Sequence, residues 1–98
     1  MRILTGFERT RLRGLAHHLH PIVQVGKNGV TDALIASVDA ALDEHEHIKL
    51  KFIDFKTERK ALAKIIATRT ESSCVGLVGN VAIFFREAKD PEQRKIRL

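Results

Sequence analysis

Apolar residues recur at two periods along this chain, and the changes of period divide it into elements. Leu12, Leu15, Ala16 and Leu19 follow i, i+3, i+4, i+7 spacing, which predicts a helix with one buried stripe. It starts at Thr5, which with Glu8 has the spacing of a capping box, and ends before Pro21, because proline disfavours helical geometry at His20. Residues 22–25 form a short apolar run and predict a strand. A second helix is predicted over 31–44, with Thr31 as N-cap and Leu34, Ile35, Val38 and Leu42 as its apolar positions. In 48–55 the period becomes two: Ile48, Leu50 and Phe52 share one face, Lys49 and Lys51 the other. A third helix over 57–70 turns Leu62, Ile65 and Ile66 inward and Arg59, Lys60 and Lys64 outward. Residues 75–78 and 81–85 then predict two strands joined by a hairpin at Gly79-Asn80.

The order α-β-α-β-α-β-β implies an α/β, two-layer domain with about four strands in a mixed sheet. Right-handed crossovers through the second and third helices lay all three helices on one sheet face and leave the other wet. Strand order stays open. Residues 1–86 make one domain, and 87–98, with Pro91, mixed charge and no period, read as a tail in which Arg94, Lys95 and Arg97 are solvated or add phosphate contacts on binding.

Composition narrows the functional classes. At 98 residues, 44% hydrophobic and 30% charged, the chain is globular and holds one core. Seventeen Lys and Arg against twelve Asp and Glu give +5, which favours an acidic partner. The charge is uneven: residues 1–30 carry Arg2, Arg9, Arg11, Arg13 and Lys27 against Glu8, a net +4, whereas 31–47 carry Asp32, Asp39, Asp43, Glu44 and Glu46 with no Lys or Arg, a net −5. Asp43, Glu44 and Glu46 at the C-terminal end of the second helix oppose the helix dipole, so local stability does not explain them; solubility is their expected role, with keeping RNA away from that end as the other. Cys74 is the lone cysteine and is expected as a small buried strand residue in a reducing compartment. No run approaches the length of a membrane span and residues 1–6 lack a signal-peptide core, so a soluble, cytoplasmic monomer without membrane contact is expected.

Catalytic chemistry is not indicated. His17, His18 and His20 with the 43–47 stretch lack zinc-ligand spacing, and there is no GxSxG, P-loop or GxGxxG motif. Paired carboxylates occur only at the acidic helix end, without an apolar pocket to raise a pKa. No metal, cofactor or small-molecule substrate is therefore expected, and the chain is expected not to be an enzyme.

What remains is the loop Gly26-Lys27-Asn28-Gly29 between the first strand and the second helix. Glycines let backbone approach a sugar-phosphate chain, the following helix offers free amides and its positive dipole end, and Lys27 adds a point charge. In a basic chain this marks RNA or DNA as the expected partner. A GxxG of this kind can also be a plain tight turn. Aromatic stacking has little to draw on: there is no Trp or Tyr, and Phe7, Phe52 and Phe85 of the five Phe suit a core. Arg9, Arg13 and His17, one turn apart, could line a phosphate track or simply face solvent.

The run from Gly14 through Ala16-His17-His18-Leu19-His20-Pro21 and Val25-Gly26-Lys27-Asn28-Gly29-Val30-Thr31 resembles the YhbY-like CRM domain, named for chloroplast RNA splicing and ribosome maturation. The likeness continues through Glu46-His47-Ile48-Lys49-Leu50-Lys51 and Val78-Gly79-Asn80 to Arg86. Glu71 stands where the family commonly has glycine, and Phe85 where tyrosine is usual. The resemblance implies a sandwich similar to the C-terminal domain of translation initiation factor three. It also implies a bacterial stand-alone member acting as an assembly factor on large-subunit ribosomal RNA through Gly26, Lys27, Asn28 and Gly29. Charge and strand parity add Arg13, Lys49, Lys51 and Arg86 to the expected RNA-binding set. The competing expectation is a protein-interaction adaptor docking on ribosomal proteins through the acidic end of the second helix.

Overall fold

A computed structural model describes residues 3–98; Met1 and Arg2, the latter counted with the basic N-terminal stretch, lie outside the described residues. Local chemistry starts the elements. Thr5 Oγ1 accepts from the Glu8 amide at 3.1 Å while the Thr5 amide donates to Glu8 Oε1 at 2.9 Å, closing the capping box that opens α1 (Gly6–Leu15). A 3₁₀ turn (Ala16–His18) leads to β1 (Pro21–Val25). Thr31 Oγ1 accepts from the Leu34 amide at 3.1 Å and opens α2 (Asp32–His45). Then come β2 (His47–Phe52), α3 (Arg59–Arg69), β3 (Ser73–Val78) and β4 (Val81–Phe85). β2 ends before the predicted position 55 because the Ile53 and Asp54 amides both turn to the Val25 carbonyl, at 3.0 and 3.1 Å.

The sheet is mixed and four-stranded, in the order β1-β2-β4-β3. β1 runs parallel to β2, with Val25 opposite Phe52, and β4 is antiparallel to both β2 and β3, with His47 opposite Phe85. α2 and α3 cover one face, where Val25, Val38, Leu42, Ile48, Leu50, Phe52, Ile66 and Phe84 form the main core.

The expectation of three helices on one face is corrected for α1. Leu12 and Ala16 pack with Val75, Ile83 and Phe85 in a second, separate cluster. Ile83 and Phe85 alternate along β4 with Ala82 and Phe84 of the main core, so α1 lies on the opposite face. The stretch 81–85 is apolar at both parities, the composition of a strand covered on both sides. Two helix stripes shift accordingly: Leu15 and Ile65 are exposed, and Ala63 joins Ile66 inward. The segment after β4 also packs. Ile96 and Leu98 lie on the second cluster, and the buried Glu46 carboxylate accepts from the amides of Ala88 (2.5 Å), Lys95 (2.6 Å) and Ile96 (3.2 Å).

Candidate nucleic-acid interface

The sheet register gathers three loops at one end of the molecule. The 26–29 loop leaves β1 at Val25, opposite the end of β2 at Phe52. The Phe52 amide donates to the Asn80 carbonyl at 2.8 Å, which brings in the β3–β4 hairpin, and Arg59 Nε donates to the Gly79 carbonyl at 2.9 Å. With Val25 accepting from Ile53 and Asp54, the three loops are one hydrogen-bonded unit.

Within it, Gly26, Lys27, Asn28 and Gly29 form a tight turn closed by the Gly29 amide donating to the Gly26 carbonyl at 3.0 Å. The two glycines differ in what the fold asks of them. Gly29 has φ +72°, a left-handed backbone that disfavours any Cβ, and a Cβ there would meet the Phe55 ring at 3.4 Å. Gly26 has no such φ and nothing lies within 4 Å of where its Cβ would be. Lys27 and Asn28 are exposed.

Lys49 and Lys51 project on the α1 face, since Lys49 pairs with Ile83 of the second cluster and Lys51 with Val81. Beside them a groove of about 410 Å³ opens between α1 and the sheet. Its lining includes Arg13, His17, Lys49, Val78 and Val81, and no carboxylate. Arg13 Nη1 donates to the Val75 carbonyl at 2.9 Å and its Nη2 to Thr10 Oγ1 at 3.0 Å, while Arg9 Nη2 donates to the Cys74 carbonyl at 2.6 Å. The arginine row therefore braces β3, with Arg13 also reaching the groove. Lys27, Lys49 and Lys51 have no ion pair among the described residues.

Arg86 is placed elsewhere. It follows Phe85, at the His47 end of β2, so the length of β2 separates it from the loop. Its side chain, 20% exposed, binds Asp39 Oδ1 (2.5 Å), Asp43 Oδ1 (2.7 Å) and the carbonyls of Thr70 (2.8 Å) and Asp39 (3.0 Å). These contacts give Asp43, together with Asp39, a structural role; for Asp43 it replaces the expected solubility one, as the amides of 88, 95 and 96 do for Glu46. They also take Asp43 and Glu46 out of the acidic patch that the adaptor reading needed. The larger hollow at this end, about 820 Å³, has its arginines already matched: Arg86 as above, Arg94 to Glu87 at 3.5 Å and Arg69 to Asp32 at 2.8 Å.

This layout, a GxxG turn opening a helix beside a lysine-bearing sheet face that α1 covers only in part, coincides with a known domain: residues 4–86 match the CRS1 / YhbY (CRM) domain. The chain belongs to that family. An RNA-binding protein of Haemophilus influenzae is 35% identical over 100% of this chain and 97% of its own length. The probable RNA-binding protein YqeI of Bacillus subtilis is 35% identical over 93% and 96%. The solution structure of SAV1595 from Staphylococcus aureus, which carries an RNA-binding description, superposes with a TM-score of 0.81 at 31% identity, covering 97% of this chain and all of that one.

Several residues of this CRM domain escaped sequence reasoning. Phe7, expected in the core, is 80% exposed, and Phe84 takes a core place instead. Phe55 is 40% exposed with φ +58°, although a bulky side chain at positive φ costs of order 1–3 kcal/mol. Cys74 lies in β3, half-buried, and burial pushes its thiol pKa up. His47 is buried with Nε2 unpartnered, its ring edge-on to Phe85 at 6.3 Å. Burial chiefly, with Lys49 adding, holds its pKa below the ordinary 6.5, against a hydrogen bond to the Leu12 backbone. Only the alternation of 47–52 hinted that this histidine would face α1.

Proposed function

We propose that this protein is a non-catalytic RNA-binding factor of ribosome assembly. In this reading it is cytoplasmic and monomeric, and it engages ribosomal RNA of the large-subunit precursor through Gly26, Lys27, Asn28 and Gly29 and the Lys49 and Lys51 face. The observation that carries RNA binding is Gly26. Neither its own backbone nor its neighbours require a glycine there, so the missing side chain serves whatever approaches from outside. Lys27 on the same turn, and two unpaired lysines on the adjoining face, make that visitor anionic. The RNA-binding names of the relatives support the same partner, and the ribosomal destination rests on the family resemblance.

Arg86 and the α2 acids drop out of this surface, and Arg13 stays at its margin through the groove. Filter binding of large-subunit precursor RNA fragments across a salt series tests the reading. Replacing Lys27 by Ala is expected to weaken binding evenly across fragments and to reduce the log–log salt slope by about one. An unchanged slope and affinity would remove the turn from the interface. Crosslinking in cells followed by sequencing of the attached RNA tests the ribosomal target.

A further inference from the structure

Phe55 is the residue that phosphate binding leaves unexplained. The chain has five Phe and no Trp or Tyr. Phe52, Phe84 and Phe85 are buried, and Phe7 stands on α1. Phe55 alone combines exposure, at 40%, with a left-handed backbone, φ +58°. Turn positions of this kind favour small or polar residues, so a phenyl ring there is held against local preference. Its ring lies within van der Waals reach of Gly29, and its loop is bolted to the residue before Gly26 through the Val25 carbonyl. Ring and turn are therefore adjacent and fixed with respect to each other. Asp54 and Lys56 flank Phe55 with opposite charges, so the attraction offered at this spot is that of an aromatic surface rather than of net charge.

We propose that the exposed part of the Phe55 ring stacks an unpaired nucleobase of single-stranded RNA whose phosphate is held by the 26–29 turn. The proposal rests on the RNA-binding reading and adds to it a base contact that is strand-specific and tolerant of sequence, because every base has a π-face.

The test uses the full chain and a random-sequence single-stranded RNA pool. Phe55→Trp installs the sole tryptophan of the protein. Its emission is expected to be quenched on adding RNA, with affinity kept or raised. Phe55→Leu preserves an apolar contact with Gly29 without a π-face and is expected to weaken binding roughly 5- to 150-fold, the span that stacking of about 1–3 kcal/mol per base converts to. The salt slope should stay as in the unmutated protein, since no phosphate contact is lost. Phe55→Gly suits the left-handed backbone and is expected to show the same loss while folding normally by circular dichroism. If Lys27→Ala weakens binding while Phe55→Leu and Phe55→Gly bind as the unmutated chain, or if the tryptophan is not quenched, stacking is overturned and the phosphate turn stands. If the unmutated protein does not bind the pool at low salt, the RNA-binding reading falls and this one with it.

Discussion

Gly26 and Gly29 look equivalent as letters yet carry different constraints. Gly29→Ala places a Cβ on a backbone at φ +72°, at a cost of about 1–2 kcal/mol, so urea unfolding should register it. Gly26→Val meets open space and should leave the unfolding midpoint in place while lowering RNA affinity. Loss of stability at Gly26 would contradict this division. Glu71 is the converse case. After α3 the Ser72 amide donates to the Ala67 carbonyl at 2.9 Å and the Glu71 amide to Thr68 at 3.3 Å, a Schellman closure with Glu71 at φ +53°, the position that favours glycine. Glu71→Gly is expected to stabilise the fold by about 1 kcal/mol and to raise the melting temperature by about 4–8 °C by calorimetry.

At the scale of elements, the C-terminal segment is held by one buried carboxylate. Glu46, 1% exposed and at φ 62°, ψ −37°, accepts three amides from 88–96. Glu46→Gln keeps the shape but turns half of the acceptor into a donor that faces N–H groups, at a cost of about 1–3 kcal/mol. Hydrogen exchange at Ala88, Lys95 and Ile96 should accelerate in this variant well before exchange in β2 does; uniform acceleration would mean that the segment is not separately latched. None of this was legible from 87–98, whose few apolar residues, Ala88, Ile96 and Leu98, show no sustained period. Thr5 and Thr31 were legible because capping is settled within four residues. Arg86 was not, because Asp39 lies 47 positions away along the chain. The side of the sheet taken by α1 is likewise tertiary, and only the two-sided apolar run 81–85 signalled it. At the candidate site the turn could be read from its glycines and Lys27, whereas the exposure of Phe55 depends on where β2 stops.

For the whole molecule, His47 links acidity to stability. Its folded pKa lies below the ordinary 6.5, so the unfolded chain binds the proton more readily. Stability from this group is complete above about pH 6.5 and is lost as pH falls from there toward the lower folded pKa. Urea midpoints measured from pH 7 to pH 5 should fall, and the decline should flatten in His47→Leu; an equal decline in both would assign it to other groups.

One feature of β3 reaches beyond the single chain. It is the last strand of the sheet, and a last strand invites another polypeptide to pair with it. Arg9 and Arg13 donate to the carbonyls of Cys74 and Val75 at its bulge, which sets two guanidinium groups against this strand, and charge on a last strand discourages pairing. The same side chains that give the N-terminal helix its positive charge thus also blunt this margin against self-association.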